Sequence, residues 1–241
     1  MIEFSLLGPV QAWHDGRELE IGSPQQRTTL AILLLHEGAP VSLRRFAAAL
    51  WDDEPPQAAA ATVRTYVSRL RHVLQDTPAS IESTAYGYAL STPPLSTDLD
   101  RFRRHTLRAT EATQAGRHTT ADLELCSALA LHRGAVMAGA FGPYAETQRI
   151  RLERLIRDAE LARLHAQIRL GDADYTAPEA QMMLAADPDN EALHELLMLA
   201  LYASGRRAEA LAHFHGLRHT TPSPALVTLH RRILADDPAL I

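Results

Sequence analysis

The residues best suited to chemistry lie on one stretch, Ala58 to Gln75, which reads AAAATVRTYVSRLRHVLQ. Arg64, Ser68 and Arg71 recur at four and then three residues, so at about 100° per residue they share one stripe of a helix, with Thr65 and His72 beside it. Guanidinium groups read guanine edges with two hydrogen bonds, and hydroxyl and imidazole groups reach bases or phosphates. Arg69 and Thr62, with Arg27 from earlier in the chain, are better placed for phosphate oxygens. Val63, Val67, Leu70 and Leu74 form an apolar stripe on another side, and no Asp or Glu occurs between Pro55 and Gln75. The spacing predicts a helix held by aliphatic residues that offers Arg64, Thr65, Ser68, Arg71 and His72 to base edges. An amphipathic surface helix with solvated arginines has the same pattern.

Other chemistries lack their residues. His213, His215 and His219 invite a metal, but side chains two apart on a helix point about 200° away from each other, so only His215 and His219 can share an ion. Asp172 and Asp174 lack the spaced ligands and glycine of a calcium loop. Gly139 to Gly142 has no lysine or hydroxyl of a nucleotide loop, and no serine sits in a nucleophile elbow. Neither an enzyme nor a cofactor is expected. Cys126 is the sole cysteine, which excludes an internal disulfide and suggests a small buried hydrophobe in a reducing compartment. No apolar run approaches the ~20 residues of a membrane span, so a cytoplasmic protein without membrane contact is expected.

The elements that must position these residues follow from punctuation and periodicity. Ile2 to Leu7, Val10 to His14 and Arg17 to Ile21 read as three strands, the last two joined by the hairpin signal Asp15-Gly16. Ser23-Pro24 opens a helix running to His36, Ser42 caps a second that ends at Leu50-Trp51, and the third is the stretch above. Trp51 is expected to close a small core, and the acidic loop from Asp52 to cap the third helix. Ser80 to Glu82 and Tyr88 to Ser91 pair around Tyr86-Gly87. Pro93-Pro94 marks a boundary, and Asp98 caps the first of seven helices, of which the fourth spans Ala177 to Ala186. Gly171 and Gly205, Pro188 and Pro222, and Ile168 and Tyr202 are each 34 residues apart, the period of a tetratricopeptide unit.

Charge cuts against indiscriminate nucleic-acid binding. All 24 basic residues are arginine, yet the 241-residue chain carries a net charge of −5, and residues 1–98 hold 7 Arg against 11 Asp and Glu. Binding by this half must rest on local clustering and be sensitive to salt.

The run Thr62 to Arg71, TVRTYVSRLR, which begins twelve positions after the Leu50 of Leu50-Trp51, resembles the Streptomyces antibiotic regulatory proteins, as do Val10 to Trp13, Pro24 to Leu35, Glu54-Pro55-Pro56 and Gly87-Tyr88. Asp98 to Phe102, Ala128 to Gly134 and Leu197 to Arg206 are similar to the bacterial transcriptional activator domain that follows in that family. The resemblance implies a mainly α protein: an N-terminal winged helix-turn-helix (α+β) of the OmpR type, residues 1–92, then an all-α tetratricopeptide-like domain, residues 98–241. It further implies that the third helix enters the major groove of double-stranded DNA and that the wing, Tyr86, Gly87 and Tyr88, lies on an adjacent groove or backbone. Asp52, Asp53 and Glu54 would touch RNA polymerase holoenzyme. Protomers would bind direct repeats near an upstream promoter element as a homodimer on DNA, activating an antibiotic or other specialised-metabolite gene cluster. The sheet begins at Met1, so no receiver domain is expected ahead of it. The wing lacks the family's second glycine, His132 replaces a usual tryptophan, and Leu217 to Leu226 is shorter than usual. A ligand- or peptide-binding repeat scaffold, or a repressor of the same fold, is the alternative.

Overall fold

The computed structural model describes residues 1–52, 54–217 and 222–240. Strands β1 (Ile2–Ser5), β2 (Gln11–His14) and β3 (Arg17–Leu19) form an antiparallel sheet in that order, with Ile2 opposite His14 and Trp13 opposite Glu18. Asp15 and Gly16 both have positive φ, 51° and 79°, as the hairpin signal requires. Helix α1 (Pro24–Leu35) starts with a capping box between Ser23 and Gln26, and α2 (Leu43–Trp51) is capped by the Ser42 hydroxyl. Helix α3 (Ala59–Leu74) packs against α1 and α2, and the hairpin of β4 (Ser80–Thr84) and β5 (Gly87–Ser91) follows. This is the expected winged helix. Trp51 is half-buried rather than central, and Ala58 is the N-cap of α3 with no side-chain cap and no acid in the first turn. Asp52 and Glu54 make no side-chain cap on α3, from which Pro55, Pro56 and Gln57 separate them; Asp53 itself lies outside the described residues.

The chain divides into two compact units that cut across the Pro93-Pro94 boundary: residues 1–105 with 127–156, and residues 106–126 with 157–241. Helices α4 (Asp98–Gln114), α5 (His118–Leu129) and α6 (Pro143–Leu170) each contribute to both. Within the first unit, Asp98 is 4% exposed and its carboxylate accepts from the Leu6 amide at 2.9 Å and the Leu7 amide at 3.0 Å. Asp98 is thus not the cap of α4: the Thr97 hydroxyl takes that role, accepting from Asp100 N at 2.9 Å. Burial pushes the Asp98 carboxyl up from its ordinary value, and the Leu6 and Leu7 amides offset part of that. The loop after α5 joins the same unit. Leu7 O accepts from Arg133 N (3.2 Å), Leu6 O from Met137 N (3.1 Å), and Val10 N donates to Ala138 O (2.9 Å). The buried Thr28 hydroxyl donates to Phe141 O at 2.8 Å and accepts from Phe141 N at 2.7 Å.

The second unit holds α7 (Ala173–Ala186), α8 (Glu191–Ala203), α9 (Arg207–Gly216), α10 (Pro224–Leu234) and a 3-10 turn, Pro238–Leu240, around a core that includes Leu164, Ile168, Leu193, Leu196 and Leu201. The 34-residue repeat is visible in its hydrogen bonds. Gly171 N donates to Ile168 O (3.1 Å) and Asp172 N to Gln167 O (3.0 Å); Gly205 N donates to Tyr202 O (2.9 Å) and Arg206 N to Leu201 O (2.8 Å). Both glycines have positive φ, 91° and 74°, so each repeat ends a helix with the same left-handed cap. Asp236, φ 53°, repeats the cap after α10 without a glycine. Helix α7 begins four residues before the expected start, because Pro178 stands inside it, forfeiting one hydrogen bond without ending the helix. Cys126 is exposed, not buried: Ala121 and Leu125 take the inward positions of α5.

Candidate nucleic-acid interface

Four side chains fix α3. Val63, Val67, Leu70 and Leu74 are each at most 2% exposed, and burying them contributes roughly 1.5–3 kcal/mol apiece. With that stripe inward, Arg64, Thr65, Ser68, Arg69, Arg71 and His72 are all exposed and Thr62 is half-buried. Arg64, Ser68 and Arg69 have no hydrogen-bond or ion-pair partner among the described residues. The Thr62 and Thr65 hydroxyls donate to Ala58 O and Ala61 O, both at 3.1 Å, leaving their oxygens free to accept. His72 Nδ1 lies 3.1 Å from Gln75 Oε1.

Arg71 is placed differently. Its Nε donates to Ile81 O at 2.8 Å, one terminal nitrogen donates to Ser83 Oγ at 2.9 Å, and its guanidinium carbon sits 5.5 Å from the centre of the Tyr88 ring. Arg71 ties α3 to the hairpin instead of standing beside Arg64 and Ser68 as a free base reader. Arg27 also departs from expectation. Its guanidinium lies against Gly139, where an added Cβ would come within 2.7 Å of a terminal nitrogen, and beside a recess lined by Glu18 and Glu20. Two carboxylates at that recess oppose a phosphate there.

The wing splits into a tip and a root. Tyr86 at the tip is 79% exposed, in a turn held by the Thr84 hydroxyl, which accepts from Tyr86 N (3.2 Å) and donates to Gly87 O (3.2 Å). Tyr88 is half-buried, 6.5 Å from Phe46, and belongs to the support. Val41 N donates to Tyr88 O (2.8 Å) and Tyr88 N to Val41 O (3.0 Å), clamping β5 to the segment before α2. A Cβ on Gly87, φ 140°, would lie 1.9 Å from Val41 O, so only glycine admits this approach. Sequence reasoning missed Val41; the glycine was the signal that backbone comes close. Asp52 and Glu54 are exposed beyond α2.

His213 turns to His194, with His213 Nε2 2.9 Å from His194 Nδ1, while His215 Nδ1 bonds Leu211 O at 2.7 Å; His219 lies outside the described residues. Among the described residues no group of three His, Cys, Asp or Glu can hold an ion, and no helix is long and apolar enough to cross a membrane.

Residues 97–234 match the family described as bacterial transcriptional activator domain, and residues 16–90 match that described as transcriptional regulatory protein, C terminal. The chain belongs to the Streptomyces antibiotic regulatory protein family. Regulatory protein AfsR of Streptomyces coelicolor is 44% identical over 99% of this chain, and the chain spans only 25% of that relative's length. Regulatory protein DnrI of Streptomyces peucetius is 29% identical over 99% of the chain and 94% of its own length. The solved structure of Mycobacterium tuberculosis EmbR in complex with low affinity phosphopeptide superposes with a TM-score of 0.91 at 31% identity, over 98% of this chain and 66% of that one. The named relatives of this family member are regulatory proteins, two of them from Streptomyces.

Proposed function

We propose that the protein is a sequence-specific DNA-binding transcriptional activator in which residues 1–92 read DNA and residues 98–241 serve assembly. The observation that carries this reading is the outward face of α3. Arg64, Ser68 and Arg69 are exposed and, among the described residues, unpartnered on a helix whose opposite side is locked into the core. Arg64 and Ser68, with Thr65 and His72, address base edges; Arg69 and Thr62 address phosphates, and Tyr86 reaches the flanking backbone. Tandem protomers on direct repeats would add affinity that one module of modest charge lacks. The acidic loop of Asp52, Asp53 and Glu54 would meet RNA polymerase holoenzyme, and membership of the Streptomyces antibiotic regulatory protein family favours a specialised-metabolite gene cluster as the target. The test is a gel shift on duplexes selected from a random pool by the wild-type protein. Arg64→Ala should lower discrimination between the selected and a scrambled duplex by about 1–3 kcal/mol. Equal binding of both duplexes by the wild-type chain would end the reading.

A further inference from the structure

We propose that Arg44 and Arg45 of α2 and Arg151 of α6 form a second phosphate-binding surface, which holds the DNA backbone beside the stretch that α3 reads. The inference rests on the DNA-binding reading above. All three arginines are exposed, and none has a hydrogen-bond or ion-pair partner among the described residues. The three residues lie in one compact unit. Helix α6 starts against the end of α2, where a Cβ on Gly142 would lie 3.1 Å from Leu50 O and 3.2 Å from Ala49 O. Tyr144 in its first turn stacks on His36 at 6.3 Å; burial raises the pKa of its phenol, and the nearby charges of Arg45 and Arg151 offset part of that. Of the carboxylates on these segments, Glu37 pairs with Arg103 and Glu146 with Arg149.

Charge and continuity select DNA as the occupant. Residues 1–98 alone carry 7 Arg against 11 acidic residues, but the compact unit of 1–105 with 127–156 carries 14 against 14. The helical segments that fold into it therefore cancel the acidity that argued against nucleic acid, and Arg151 is part of that supply. The first turn of α2 follows directly on Val41 and Ser42, which clamp the wing at Tyr88 and Gly87, and Tyr88 in turn lies under Arg71 of α3. Arginine suits the role because its planar fork takes two phosphate oxygens at once.

The test measures binding of the full chain to its selected duplex across a salt series. Each lost phosphate contact lowers the slope of log K against log salt by about 0.9, so Arg45→Ala with Arg151→Ala should make it shallower by about 2. The preference for selected over scrambled duplex should stay unchanged, as should the melting temperature, since both side chains are exposed. A double variant with the wild-type slope would overturn this surface while leaving the α3 reading intact. A wild-type chain with no preference between duplexes would overturn the α3 reading instead.

Discussion

Arg71→Ala is the substitution that separates a reader from a brace. The side chain makes one bond from Nε to the Ile81 carbonyl at 2.8 Å, one to the exposed Ser83 hydroxyl at 2.9 Å, and a cation–π contact with Tyr88 at 5.5 Å. The Ile81 bond is partly buried and worth about 1 kcal/mol, the Ser83 bond next to nothing in water, and the ring contact about 0.5–1 kcal/mol. Their loss should destabilise the winged-helix unit by about 1–2 kcal/mol, which lowers the melting temperature by roughly 3–8 °C. Urea unfolding followed by circular dichroism gives the energy. Binding to duplexes changed one base pair at a time gives the specificity. Affinity should fall evenly across these duplexes as the hairpin loosens, whereas Arg64→Ala should leave stability within about 0.5 kcal/mol and relax one position. The reasoning fails if Arg71→Ala unfolds at the wild-type urea midpoint yet loses its preference at a single base pair.

Two further outcomes test the scaffold. Asp98→Ala orphans the buried Leu6 and Leu7 amides, each worth about 1–3 kcal/mol, against which stands relief from burying a carboxylate. A net loss of about 2–4 kcal/mol is expected from urea midpoints, with faster hydrogen exchange at both amides. In the second unit, burial and the neighbouring His194 hold the His213 imidazole below its ordinary pKa. The folded state thus resists a proton that the unfolded chain accepts. Stability should be complete above the ordinary imidazole value and fall as pH drops through it toward the depressed one. Melting temperatures at about pH 7.5 and about pH 5.5 should differ less in His213→Leu than in the wild type.

Much of this architecture is readable from local signals. Asp15-Gly16, Ser23-Pro24 and Ser42 announce turns and caps that form where expected, since each acts within a few residues of itself. The 34-residue offset of Gly171 and Gly205 reappears as matched hydrogen bonds for the same reason. What failed depends on distance along the chain. Asp98 resembles a cap, but its partners are 91 and 92 residues away, at the Leu6-Leu7 corner just after β1. Arg71 shares a helical stripe with Arg64, yet the hairpin ten residues on claims its guanidinium. Arg27 looks like a free cation, yet its guanidinium lies against Gly139 beside a recess lined by Glu18 and Glu20. Periodicity assigns a side chain to a face, and only tertiary contacts decide whether that face meets solvent.

The hydroxyl of Thr28 waits for a partner 113 positions downstream. On a ribosome adding about 5–20 residues per second, the amino-terminal sheet and first helices emerge on the order of ten seconds before Phe141 exists to be bound. Throughout that interval Val10 and the Leu6-Leu7 corner lack the backbone groups that complete them. Exchanging reading heads between related genes should therefore succeed only when the segment through Ile156 travels with the front of the protein.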